Sequence, residues 1–316
     1  MPEVIPALEI IVANHTAGDP MREDVRWTYL STSEVTEQLV HVGFVLHDQT
    51  VGALLKHMHF ARRRAEKRLT MGRFPQRDEQ FNIIAKLKQE FLESENPMFS
   101  IDAKKKEAVG NFFREGRLWS TANRPTNDHD FLSAGGGRVV PHGIFDPKRN
   151  TGHITLGLSG ETSEFACDSF ALYWERYGQW NYPEARSILW LCDCGGSNNP
   201  RHYIFKEDLQ KLVNQIGIPI RIAHYPPYCS KYNPIERRMF SHVTRACQGV
   251  VFHTVDIIQR MMARTWTSTG LSVTVDLISK TYEKARKASA RFLETFPVQF
   301  HDPLPLLNYT VSPTTY

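Results

Sequence analysis

The sequence predicts an α/β chain: a mixed β-sheet flanked by helices, behind a helical N-terminal region. Three observations carry that expectation. Apolar runs of strand length stand at 99–102, 139–145, 152–158, 187–193 and 220–225, the last three followed by stretches with helical spacing of apolar residues. Residues 31–94 instead show short helical patterns broken by one glycine and a basic stretch. A chain of 316 residues, 41% hydrophobic and 23% charged, has ordinary globular composition and enough length to bury a core without staples.

The elements follow in order. Ser31, Thr32 and Ser33 offer helix caps, with Glu34 and Glu37 where acids suit a helix N-terminus, and Val35, Leu39 and Val40 form one apolar face. Gly43 stops that helix. A second helix opens near Asp48 or Thr50 and carries Val51, Leu54, Leu55 and Met58. Helix, glycine turn, helix is the helix-turn-helix pattern, whose second helix can lie in a major groove. The exposed reading candidates are Gln49, Thr50, Lys56 and His57. From Phe60 to Arg77 there are seven basic residues (Arg62, Arg63, Arg64, Lys67, Arg68, Arg73, Arg77) against the single acid Glu66. Such a cluster is either a solvated linker or a segment that displaces counterions from a nucleic-acid backbone. A helix over 78–94 and Pro97 close this part, which divides the chain into a helix-turn-helix region with its basic linker (1–75) and a second domain (76–316).

In the second domain, residues 99–102 read as a strand. A polar stretch with Lys104, Lys105 and Lys106 follows, then two strands joined by the turn Asp146-Pro147-Lys148-Arg149-Asn150. Thr162 or Ser163 caps a helix to about 177. The apolar run 187–193 is a strand buried on both faces. Helices over 201–215 and 234–248 flank a strand at 220–225. Two last helices are expected over 254–269 and 273–289, and the proline-rich tail from His301 is expected to be irregular. Three strands, helix, strand, helix, strand, helix is the order of an RNase H-like fold. Trp174, Trp180 and Trp190 are expected in the core, and His142 and His224 as hydrogen-bonded core or loop groups.

Three carboxylates stand where packing explains them poorly. Asp102 lies at the centre or end of the first strand. Asp193 closes the apolar fourth strand and runs into Gly195-Gly196-Ser197-Asn198. Glu236 sits in the first turn of a helix opened by Asn233-Pro234. The carboxyl ends of strands in open α/β sheets face the ligand crevice. Phosphodiester chemistry needs charge stabilised on attacking and leaving oxygens, which two divalent ions supply, and Mg²⁺ takes oxygen ligands. The proline-stiffened run from His224 to Glu236 fixes the direction of the acid, and Ser230, Lys231 and Asn233 are expected to line the cleft, Lys231 facing a phosphate. Lys104 and Lys105, just after Asp102, are further phosphate candidates.

Residues 99–107 (FSIDAKKKE), 193–198 (DCGGSN) and 224–236 (HYPPYCSKYNPIE) resemble the three motifs of DDE transposases, in the mariner-related bacterial insertion-sequence branch often labelled rhodopirellula-type. Thr16–Pro20, Arg26-Trp27-Thr28, residues 75–81 and 143–146 match as well, so the resemblance runs from about residue 7 to about residue 312. It implies Asp102, Asp193 and Glu236 as a metal-binding triad with two Mg²⁺ (or Mn²⁺) ions per site. It implies double-stranded DNA, transposon ends and target, as partner, with cleavage at the ends and strand transfer by the freed 3′-hydroxyl. A homodimer or larger assembly on DNA, and a bacterial cytoplasmic, nucleoid-associated setting, follow from it too. Family members carry further residues upstream of the helix-turn-helix, so part of a DNA-end recognition module is expected to be missing. Two alternatives are an RNase H-like nuclease that cuts without strand transfer, and an inert helix-turn-helix regulator.

Other classes fit poorly. A net charge of +4 is too mild to identify a partner by itself. No run approaches the roughly 18 apolar residues of a membrane-spanning helix, and the N-terminus lacks a signal peptide's basic start. Five cysteines without framework spacing read as reduced thiols of a cytoplasmic protein, and a lone C-x-C pair lacks the spacing of a structural zinc site.

Overall fold

The computed structural model describes residues 3–19, 22–63 and 74–314. The chain divides into two compact units, Met1–Leu69 and Thr70–Tyr316.

In the first unit, α1 (Val4–Asn14) leads into a hairpin of β1 (Thr16–Asp19) and β2 (Arg22–Thr28), paired antiparallel. The sequence pattern alone marks no element in this stretch. Then come α2 (Thr32–His41) and α3 (Asp48–His57). Ser31 and Glu34 close a reciprocal capping box on α2, which satisfies two N-terminal donors at once. Gly43 turns the chain at φ +91°, a conformation that favours glycine. Leu8, Ile11 and Val12 of α1 bury against Val35 and Leu39 of α2 and Val51 of α3, a small core of their own.

The second unit opens with α4 (Arg77–Glu93), then β3 (Met98–Ala103), the two-residue β4 (Glu107–Ala108), β5 (Arg138–Asp146) and β6 (Thr151–Gly157). Next are α5 (Ser163–Tyr173), a π-turn (Trp174–Gly178), α6 (Gln179–Asn181), β7 (Ile188–Cys192), α7 (Tyr203–Ile216) and β8 (Ile220–His224). A second π-turn (Glu236–Phe240) precedes α8 (Ser241–Ala246), α9 (Val255–Ala263), β9 (Ser272–Ile278), α10 (Ala290–Thr295), β10 (Val298–Phe300) and β11 (Asn308–Val311). The sheet order is β10-β11-β8-β7-β3-β5-β6-β9, with β4 alongside β5. β3, β7 and β8 run parallel, while β5 lies antiparallel to β3. This is the mixed sheet flanked by helices, RNase H-like, that the element string predicts.

Alternation along the central strands sorts their side chains into two layers. Phe99, Ile101, Trp190, Cys192 and Ile222 point to one face, packed with Phe170 of α5 and Phe205 and Leu209 of α7. On the opposite face Met98, Leu189, Leu191 and Ala223 meet Ile84 of α4. Further along that face, Phe145 and Ile154 meet Ile235, Met239, Phe240 and Met262. β7 is buried at all five positions, as its continuous apolar run requires.

Three expectations are corrected. Residues 273–289 are not a helix. Val273, Val275 and Leu277 alternate with Ser272, Thr274 and Asp276, a period of two in a β-branched run, and the segment pairs parallel with β6 as an edge strand. The tail is not irregular throughout: β11 pairs antiparallel with β8 and buries Tyr309 completely. Trp180 is 76% exposed, because the chain passes through a π-turn and a single helical turn there, while Trp174 and Trp190 are in the core. No helix among the described residues is long and apolar enough to cross a membrane.

Candidate active site

Register brings the first two acids together. β3 and β7 pair in parallel through Met98↔Leu189, Phe99↔Trp190 and Ser100↔Leu191. Continued two steps, that register sets Asp102 next to Asp193, one residue past the end of β7, and the Asp193 charge acts on the Asp102 carboxyl. Both belong to the face covered by α4 and the Ile235–Phe240 segment, since they continue the alternation of Ser100 and Leu191.

Glu236 is stapled to the same face by buried polar groups. The Ser100 hydroxyl donates to the Asn233 carboxamide oxygen and accepts from the Ile235 backbone N–H at 2.9 Å. The Asn233 amide nitrogen donates to the Ile101 carbonyl at 3.2 Å. Asn233 is therefore a fully buried anchor rather than a cleft-lining residue. Gly143 of β5 lies opposite Asp102. A Cβ there would stand 2.6 Å from the Phe240 ring and 2.8 Å from Met239 Cε, so the glycine lets the helical segment that starts at Glu236 close onto the sheet.

Asp193 is held on its own loop. Its Oδ1 accepts from the Gly195 N–H at 3.0 Å, and its backbone carbonyl accepts from His224 Nδ1 at 2.8 Å. A carbonyl cannot donate, so the His224 proton sits on Nδ1 and Nε2 is free to accept from the Tyr309 hydroxyl at 3.0 Å. Burial pushes the His224 imidazole down to about 4, which keeps it neutral. Gln80 of α4 donates to the His224 carbonyl at 2.8 Å and pairs with Asn308 of β11. The sequence marks His224 only as a core group and gives Tyr309 no role, because their partners lie on strands far apart in the chain.

Burial, then the charges of Asp193 and Glu236, raise the Asp102 carboxyl to about 8. Asp102 thus keeps its proton near neutral pH and donates it to the Glu236 carboxylate, a contact that offsets part of Glu236's burial. Burial raises Glu236 as well, against that hydrogen bond and the Lys104 charge. Asp193 is raised by burial and, against the Gly195 hydrogen bond, by Glu161, a fourth acid that sequence reasoning misses. Oxygen donors alone, crowded and short of positive charge, are the donor set a hard divalent cation takes. Among the described residues no three His, Cys, Asp or Glu side chains stand close enough to hold an ion as they are, so ion binding requires the three carboxylates to draw further together.

The basic candidates separate. Lys104 is only 12% exposed and ion-paired to buried Glu107 at 2.7 Å; Arg114, stacked 3.9 Å over the Phe252 ring, pairs with the same carboxylate. Lys105 is exposed, and Lys231 is exposed with its ammonium 5.3 Å from the Tyr232 ring. In the first unit, Gln49 and Thr50 are exposed at the start of α3, Lys56 in its last turn, and Arg62 and Arg63 beyond it. Arg64, Lys67, Arg68 and Arg73 lie outside the described residues. The cysteines are free thiols, as expected.

Comparison with known proteins gives a family match. The family described as Rhodopirellula transposase DDE domain matches over residues 7–313. No curated protein matches the chain. Among solved structures, the Mos1 transposase paired-end complex with left transposon end is similar at 13% identity over 81% of this chain and 68% of that one, with a TM-score of 0.45. The Mos1 strand transfer complex is similar at 12% identity over 81% and 68%, with a TM-score of 0.43. The mariner Mos1 paired end complex with Mg is similar at 12% identity over 80% and 68%, also with a TM-score of 0.43.

Proposed function

The chain belongs to the Rhodopirellula transposase DDE-domain family, and from that membership we propose that Asp102, Asp193 and Glu236 are the residues through which it acts on DNA. The protein is a DNA transposase, a metal-dependent polynucleotidyl transferase. The finer reading is that the three carboxylates hold two Mg²⁺ or Mn²⁺ ions. DNA is cut at transposon ends, the freed 3′-hydroxyl joins target DNA, and the protein works as a dimer or larger assembly in the bacterial cytoplasm.

The observation that carries the site assignment is the convergence of the three acids on one sheet face by register and staple. Bound divalent ions supply charge stabilisation for the attacking and leaving oxygens. The chain's own part is positional. The Ser100–Asn233 staple fixes Glu236, and the Gly195 N–H and His224 fix Asp193 from two sides. The proton between Asp102 and Glu236 has to leave before both act as ligands. The Lys104–Glu107 pair brings a cation beside Glu236 while its own charge is already balanced.

The test is nicking of a labelled duplex. Wild type nicks in Mg²⁺ or Mn²⁺, and Asp193→Asn loses activity by about a thousandfold or more while its circular dichroism spectrum is unchanged. An active Asp193→Asn variant removes Asp193 from the assignment. A separate expectation concerns Arg62 and Arg63. With both changed to Ala, affinity falls evenly across duplex sequences, and the slope of log affinity against log salt drops by about 1.8, near 0.9 for each phosphate no longer neutralised. An unchanged slope makes that stretch a plain linker.

A further inference from the structure

A groove of about 740 Å³ opens beside the carboxylates and has no assigned use. Its lining comes from the loop after β7 and the start of α7, from the 283–288 segment, and from Lys106 and residues 161–163 at the start of α5. It neighbours the site through Glu161, whose charge acts on Asp193. Lys106 follows Asp102 by four residues, and Ser197 follows Asp193 by four. Gly196 makes the close approach possible. It sits at φ +53°, and a Cβ there would meet a Glu161 carboxylate oxygen at 2.9 Å.

The charged residues of the lining are mostly basic. Lys106, Arg201, Lys284, Arg286 and Lys287 face two acids, Glu161 and Glu283. Two of these cations are already committed: Lys106 to Glu161 at 3.4 Å, and Arg286 to Asp208 at 2.6 Å and Glu164 at 3.3 Å. Arg201, Lys284 and Lys287 are exposed and make no ion pair among the described residues. One large aromatic side chain, Tyr203, lines the groove and is 54% exposed, with its ring supported edge-on by Phe296 at 5.4 Å. A positive track with a half-free aromatic ring is the construction that holds unpaired nucleotides, phosphates on the cations and a base on the ring. The volume is that of a cleft enclosing one small ligand, so about two nucleotides of a single strand fit and a duplex does not.

We propose that this groove seats the first unpaired nucleotides of the DNA strand that leaves the carboxylate site, with Arg201, Lys284 and Lys287 on the phosphates and Tyr203 under a base. The proposal rests on the transposase reading of Asp102, Asp193 and Glu236, because it takes the strand's direction from them.

The experiment compares two labelled duplexes of one sequence, blunt and with a six-nucleotide oligo-dT 3′ extension, without metal and over a salt series. Wild type binds the extended duplex about tenfold more tightly. Lys284→Ala with Lys287→Ala removes that preference and lowers the salt slope for the extended duplex by about 1.4, near 0.7 per single-strand phosphate. Tyr203→Leu removes most of the preference without changing the slope. Lys86→Ala, an exposed lysine on α4, leaves the preference intact. Equal binding of the two duplexes by wild type, or a preference that survives the double variant, overturns the groove. Nicking in Mn²⁺, measured on the same blunt duplex, reports the carboxylate reading separately: nicking without an extension preference sinks only the groove, and the preference without nicking sinks only the carboxylates.

Discussion

Asp102→Asn stabilises the protein above pH 8 and abolishes its activity. Folding holds the Asp102 carboxyl at about 8, far above the roughly 3.9 of an unfolded chain. The folded state therefore keeps a proton that the unfolded state releases. Stability from this group is full below about pH 4 and is lost as pH rises through 8. Asparagine keeps the shape, can accept from the Ala103 N–H that Asp102 Oδ1 now takes at 2.8 Å, and can donate to Glu236 without ever ionising. The gap between variant and wild type is thus absent at pH 4, grows through neutrality and is complete above pH 8. Even about 2 kcal/mol, well under half of what the whole shift implies, raises Tm by roughly 4–8 °C in a unit of this size. Saturating Mg²⁺ raises the wild-type Tm, by the equivalent of about 2.7 kcal/mol at a hundredfold excess over Kd, and leaves the variant nearly unmoved. Thermal melts at pH 4, 6 and 8.5 with and without Mg²⁺ check this. A variant no more stable at pH 8.5 than wild type, or one that still nicks DNA, contradicts it.

The second large effect is at His224, which touches neither an ion nor DNA. His224→Leu leaves the Asp193 carbonyl and the Tyr309 hydroxyl both buried and unpartnered, at about 1–3 kcal/mol each. Stability falls, and the single-turnover nicking rate falls by tenfold or more, because the loop that aims Asp193 loses its anchor. His224→Asn separates the two losses. Its amide nitrogen stands near the Nδ1 position and can restore the bond to Asp193, but it cannot reach Tyr309. The rate therefore recovers further than the Tm does, and the Mn²⁺ concentration for half-maximal rate moves back toward wild type. A merely structural role predicts that rate and Tm recover together, and that the half-maximal Mn²⁺ concentration does not change between Leu and Asn.

The carboxylates are legible in the sequence because each sits at a place with local meaning: a strand end, a strand-to-glycine junction, a helix start behind prolines. The strands that carry them are legible too, since five consecutive buried positions in β7 leave a mark that needs no partner to see. What cannot be read depends on neighbours distant in sequence. The flanks of β9 suit helix as well as strand, and only β6 offers an edge that decides for the strand. β11 hides among prolines until β8 supplies its hydrogen bonds. Lys104 looks like a free phosphate contact beside Asp102, yet Glu107, three residues on, returns to balance it. Glu161 reaches Asp193 from just before α5, and nothing in its local sequence marks it.

The place of β11 in the sheet sets a timetable. Tyr309 belongs to a stretch that emerges from the ribosome long after Asp193, and only then does His224 Nε2 gain its hydroxyl partner. A nascent chain, or one cut short by a frameshift before Asn308, carries all three acids and the groups that hold Asp193, yet leaves the outer edge of β8 unpaired and His224 Nε2 without its hydroxyl partner.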